Sequence, residues 1–167
     1  MTKFAQICTV AVLVTLSAAC NNSSSNPNAP GSTGAGRATF TVSVKPSPIT
    51  AQHCNPQCPG DGSGSYAFAA DMTVNVQETS GIGGNATQMT LTASAGGTTF
   101  QPLTFTADDI TQQAGTHHVD GHATLAIPMS IVYNTPSGAA NLTINVSIQI
   151  TDDRNNQVTA TGQVNVI

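Results

Sequence analysis

Three histidines stand close together in this chain, His117, His118 and His122, with Asp120 between the last two. Imidazole nitrogens backed by a carboxylate are donors suited to Zn2+ or Cu2+, so this is the first place to look for chemistry. On an extended strand His118 and His122 share one face and His117 takes the other. All three could converge only if Asp120 and Gly121 make a turn. The plainer expectation is an exposed polar loop leading into a strand. A second group is Cys54 and Cys58 beside His53. Two thiols this near each other pair most simply as a disulfide in an oxidising compartment. Half a metal site with His53, or a redox pair, are the sharper readings, although the spacing is not the Cys-x-x-Cys of thiol oxidoreductases. Asp152, Asp153, Asn155 and Asn156 offer oxygens of the kind Ca2+ takes, but such a run is more often only a turn. Asp108 and Asp109 are expected in a loop for the same reason.

Hydrolytic chemistry needs a nucleophile beside an oriented base. Serines and threonines are plentiful, yet none sits in a Gly-x-Ser-x-Gly elbow, and Glu78 is the single glutamate. No small-molecule substrate can be identified from these residues, and the expectation is a protein that is not an enzyme. Aromatic residues make up 4% of the chain, too few for a platform on which sugars or bases stack. Charged residues make up only 7%. Beyond Lys3, the cations are Arg37, Lys45 and Arg154 against eight acidic residues. A chain without a basic patch has nothing to neutralise phosphates, which excludes nucleic acid as a partner.

The elements that would position these residues are strands. Phe40, Val42 and Val44 alternate with polar residues, the period of a half-buried strand, and Pro46 and Pro48 end it. Residues 49 to 65, rich in Pro and Gly, read as a loop holding the cysteines. Phe68, Ala70, Met72, Val74 and Val76 form one face of a second strand. Gly81, Gly83 and Gly84 turn the chain toward Met89, Leu91 and Ala93. Phe100, Leu103 and Phe105 mark a fourth strand, which Pro102 demotes to an edge. Ala123 to Tyr133 alternates through a fifth, with Pro128 on its outward face. Leu142 to Ile150 and Val158 to Val166 form a hairpin about an Asp/Asn turn, where such residues bond nearby backbone and tolerate positive φ. Ala107 to Ala114 carries one helical turn at most. Short strands with one inward face each predict an all-β, two-sheet antiparallel sandwich of about seven strands.

Ahead of all this, Phe4 to Cys20 is an apolar run behind Lys3 that closes on Leu16, Ser17, Ala18, Ala19 and Cys20. Its apolar core is too short to span a bilayer and has the make-up of an export signal. No later stretch predicts a transmembrane helix. The ending resembles the lipobox of bacterial lipoproteins, with Ser17 where that family has Leu, Val or Ile. The resemblance implies a cut before Cys20, a diacylglycerol lipid on the Cys20 sulfur, and usually a further acyl chain on the new amino terminus. Two chains or more hold a protein firmly, at about 0.8 kcal/mol per buried CH2. Asn21, rather than the Asp that retains many such proteins at the inner membrane, implies the outer membrane. The domain would then face the periplasm or the cell surface.

Residues 21 to 37 contain no large apolar side chain, so chain entropy keeps them unfolded. The segment would reach about 20–25 Å. The domain plan is therefore a signal peptide at 1–19, a lipidated cysteine and flexible tether at 20–37, and a sandwich at 38–167. Ala38 to Ile167 resembles the immunoglobulin-like class of bacterial surface domains. It lacks that class's tryptophan, and Cys54 and Cys58 are too close to bridge two sheets. The resemblance implies a lipid-anchored, non-catalytic binding or structural module of the bacterial cell envelope. Its partners would be the membrane, through the Cys20 lipid, and envelope proteins. The alternative is a periplasmic metal-binding or metal-delivery lipoprotein built on the histidines.

Overall fold

The computed structural model describes residues 36–59, 65–136 and 138–167. The leader, Cys20 and the tether up to residue 35 lie outside the described residues. The chain forms β1 (Phe40–Lys45), β2 (Gln52–Pro59), β3 (Ser65–Glu78), β4 (Gly84–Ala95), β5 (Thr98–Thr99), β6 (Leu103–Thr106), α1 (Ala107–Ala114), β7 (His118–Val119), β8 (Thr124–Tyr133), β9 (Leu142–Asp152) and β10 (Gln157–Val166). Among the described residues, seven of the ten strands are long, and they build two antiparallel sheets packed face to face, an immunoglobulin-like sandwich.

The first sheet is organised on β3. Its one edge pairs with β8 from Phe68–Tyr133 to Gln77–Thr124. The other edge is shared by β1, opposite residues 73–78, and β2, opposite residues 65–69. The second sheet runs β10–β9–β4, and β7, β6 and β5 succeed one another along the far edge of β4. After β1 the chain crosses to this sheet, where Ile49 bridges Val166 in parallel. A first strand shared between sheets, with β1–β3–β8 facing β4–β9–β10, has the arrangement of A-B-E against C-F-G in immunoglobulin folds.

Period-two patterning decides which side chains meet. Phe68, Ala70, Met72, Val74 and Val76 of β3 are buried, as are Leu142, Ile144, Val146, Ile148 and Ile150 of β9. In β4 the alternation changes parity, from Ala86 to Met89 and Leu91, because the ladder with β9 slips between Ala86 and Gln88. One extra residue in a ladder reverses every side chain beyond it. Pro128 is exposed on β8, which among the described residues is an edge strand pairing only with β3, where its missing N–H leaves no ladder bond unmade. In β10, a Cβ at Gly162 would lie 2.9 Å from both the Val42 carbonyl oxygen and Cγ1. Gly162→Ala must therefore push the sheets apart locally. It is expected to cost about 1–3 kcal/mol in urea unfolding, whereas Ala at the exposed Thr161 should change little.

Three expectations are corrected. The stretch expected as a loop over 49 to 65 contains β2, because the β3 edge beyond β1 is open and residues 52–59 fold back along it. Cys54 and Cys58 form a disulfide, with Cα atoms 5.1 Å apart, across the place where the β2–β3 register breaks between His53 and Cys58. Asp108 and Asp109 are not in a loop but in the first turn of α1, which is longer than the single turn expected. Thr106 caps this helix: its hydroxyl accepts from the Asp109 N–H, and the Asp109 carboxylate accepts from the Thr106 N–H at 2.8 Å. That is a capping box, and Ile110 anchors the helix in the core. The expected fourth strand is shorter than read, β5 and β6 lying on either side of Phe100 and Pro102.

Candidate functional site

The inward alternation of β3 and β9 runs one step beyond the apolar residues in each strand. After Val76 the next inward position is Glu78, and after Ile150 it is Asp152. Both are buried, at 1% and 2% exposure, and they are the only buried polar residues among those described. They sit at the same end of the sandwich, where β3 and β9 finish and β1, β4, β8 and β10 begin.

Each carboxylate is a hub that gathers backbone donors from its own turn and from distant segments. Glu78 accepts from the N–H groups of Ser80 and Gly81, both at 2.7 Å, from His122 N–H at 2.9 Å and from Thr39 N–H at 3.4 Å. It also accepts from the Ser80 hydroxyl. Asp152 accepts from the N–H groups of Asn156 at 2.7 Å, Arg154 at 3.0 Å and Ala38 at 3.1 Å, and from the Asn156 side-chain amide. Burial pushes the pKa of Glu78 up. The hydrogen bonds from His122, Ser80 and Gly81 outweigh it and hold the group well below the ordinary carboxylate range. Asp152 likewise is raised by burial but brought down to about 2 by the Asn156 side chain and the N–H groups of Asn156, Ala38 and Arg154. Carboxylates that accept several N–H bonds behave this way. They are fixed anions over the physiological range.

These hubs set the histidine loop. Asp120 to Ala123 does turn, closed by Ala123 N–H to the Asp120 carbonyl at 3.0 Å, with His122 at φ 61°. The imidazoles nevertheless take separate partners. His117 Nδ1 lies 2.8 Å from the Thr111 hydroxyl of α1. His122 is pinned through its backbone to Glu78, and its ring covers Gly81. A Cβ at Gly81, which has φ 82°, would lie 2.9 Å from His122 Nε2. Among the described residues, His118 is the histidine whose ring meets carboxylates. Its Nε2 is 3.3 Å from Asp120 and its Nδ1 is 4.0 Å from Asp153 and 3.1 Å from Asn85 Oδ1. Among the described residues, no group of three or more His, Cys, Asp or Glu side chains is placed to hold a metal ion. His53 lies away on the disulfide hairpin, edge-on to Phe68 at 5.1 Å.

The Asp/Asn run is a turn built around Asp152, with Asn155 at φ 64°. Asp153 is left on the surface beside His118. Sequence reasoning missed Glu78 and Asp152 as the organising residues. The signal was present: extending each strand's alternation by two positions puts a carboxylate inward, which requires partners.

No protein-family model matches the chain, and no curated protein matches it. Among solved structures, the sandwich is similar to the X-ray structure of Northeast Structural Genomics Consortium target SoR45. The TM-score is 0.55, with 8% identity, over 76% of this chain and 85% of that one. At that identity the likeness concerns the fold alone.

Proposed function

We propose that this chain is a lipid-anchored protein of the bacterial cell envelope carrying a non-catalytic, immunoglobulin-like binding or structural module. The observation that supports a non-catalytic module is the employment of its buried carboxylates. Glu78 and Asp152 are saturated with backbone donors that pin loops, and their lowered pKa values unfit them for moving protons near neutrality. Support for the anchor comes from the lipobox-like Leu16–Cys20 ending, with the diacylglycerol lipid on Cys20 holding the chain at the outer membrane. Envelope proteins would meet the module at its loops or along the β8 edge, by contact or strand addition.

The anchor is tested by mass spectrometry of the mature protein together with fractionation. The expected result is an amino terminus at Cys20 carrying acyl chains, recovery with the outer membrane, and release from it on Cys20→Ser. A mature terminus elsewhere without lipid would sink the anchor. Chemical crosslinking on intact cells tests the module, which fails if no reproducible protein neighbour is captured.

A second reading, metal handling, draws on His118 with Asp120 and Asp153 on either side of its ring. Calorimetry with Zn2+ and Cu2+ decides between the two. Because His117 and His122 are turned to Thr111 and Gly81, weak heat indifferent to His118→Ala and His122→Ala is the expected result. One-to-one binding at micromolar affinity, abolished by His118→Ala, would make metal handling the working function.

A further inference from the structure

The outward face of the β10–β9–β4 sheet is made of hydroxyl and amide side chains. Register places Thr90, Ser147 and Thr161 in one row across the three strands, and Thr92, Asn145 and Gln163 in the next. The rows above and below continue in Thr, Ser, Asn and Gln alone. No Asp, Glu, Lys or Arg occupies an outward position of these three strands. The six named residues line an open depression of about 450 Å3. None of their side chains makes a hydrogen bond within the described residues. This contrasts with the Glu78 and Asp152 end, where polar side chains are committed to backbone.

A solvated sheet face is ordinarily kept soluble by interspersed charges. Here the face carries instead a grid of groups that mostly both donate and accept. Its pitch is about 4.8 Å between strands and about 6.8 Å along them. We infer that this face binds a neutral polysaccharide chain. A charged polymer would give up hydration there with no opposite charge to meet it. A protein partner would look for the aromatic or Arg anchors that dominate such interfaces, and the face offers none. A neutral hydroxyl-rich chain exchanges its bonds to water for bonds to the grid. An open depression continuing into further rows suits an extended polymer rather than an enclosed small ligand. The recognition is by hydrogen bonds rather than stacking, so the low aromatic content does not bear on it. It is independent of the lipid on Cys20, and its failure would leave the anchor untouched.

The test is co-sedimentation of the detergent-purified full chain with insoluble chitin, cellulose and mannan, with cross-linked polygalacturonate as the charged control. Retention on at least one neutral polymer is expected, unchanged by added salt because no ion pairs are involved. The Asn145→Ala/Gln163→Ala double variant is expected to weaken it about tenfold, the loss of one or two net hydrogen bonds. Ser147→Arg should abolish it, while Asp71→Ala, on the other sheet, should leave it unchanged. No retention on any neutral polymer, retention only on polygalacturonate, or retention indifferent to the face variants would each overturn the inference. So would photo-crosslinking from position 147 that captures a protein instead of a glycan.

Discussion

Replacing Glu78 by alanine is expected to destabilise the domain by about 3–5 kcal/mol, read as the shift in urea midpoint at unchanged slope. The variant removes the common acceptor of four backbone N–H groups, those of Thr39, Ser80, Gly81 and His122. A donor left without a partner costs about 1–3 kcal/mol where it is buried. These bonds are part-buried, Thr39 N–H keeps the Ser80 hydroxyl as an acceptor, and water entering the vacated space recovers part of the loss. Against a usual total of about 5–15 kcal/mol, such a loss brings the domain close to unfolding at physiological temperature. Glu78→Gln keeps the volume but turns an amide NH2 toward backbone donors, so an intermediate loss is expected. The loss should be local in origin as well. Amide exchange should rise first at Gly81 and His122, because these belong to loops that Glu78 joins across 44 residues of sequence. A cost below about 1 kcal/mol, the range of an ordinary surface substitution, would show that the loops hold without the carboxylate.

Acid should unfold the domain through the same two groups. Glu78 and Asp152 are both held below the ordinary carboxylate pKa in the folded chain. In acid the unfolded chain therefore binds more protons than the folded one. Their contribution to stability is complete above the unfolded carboxylate range, near about 4, and is lost as pH falls through the folded values, about 2 for Asp152. A melting temperature level above about pH 5 and dropping steadily toward pH 2 is the expected profile. Asp152→Asn should lower stability at neutral pH and flatten the acid limb. An acid limb unchanged in Asp152→Asn would assign the pH dependence to other groups. Asp109 also lies below its ordinary value, held first by the Thr106 N–H and then by its hydroxyl. It is partly exposed at a helix cap, where solvent screening keeps its share small.

Much of this architecture is local in origin and therefore legible in the chain. Alternation over Phe68–Val76, Leu142–Ile150 and Val158–Val166 determines strands and their inward faces, because side chains two apart on a strand must share a side. The Asp/Asn turn determines the last hairpin, and the closeness of Cys54 to Cys58 determines their pairing. The absence of basic clusters is equally a property of sequence. What only the tertiary structure decided depends on pairings between distant residues. The open β3 edge beyond β1 made β2 a strand despite its prolines, since a ladder partner outweighs weak local propensity. Thr106 and Asp109 bonded reciprocally and turned an expected loop into a helix start. The three histidines are neighbours in sequence, but Thr111, Asp120 and Glu78 divide them, because each imidazole or its backbone follows the nearest committed partner. The inward placing of Glu78 and Asp152 is legible in the strand period, but the partners that make them the joints of one end of the sandwich lie partly outside any local window. A carboxylate carried inward by strand period must find donors, and those donors come from segments up to 114 residues away.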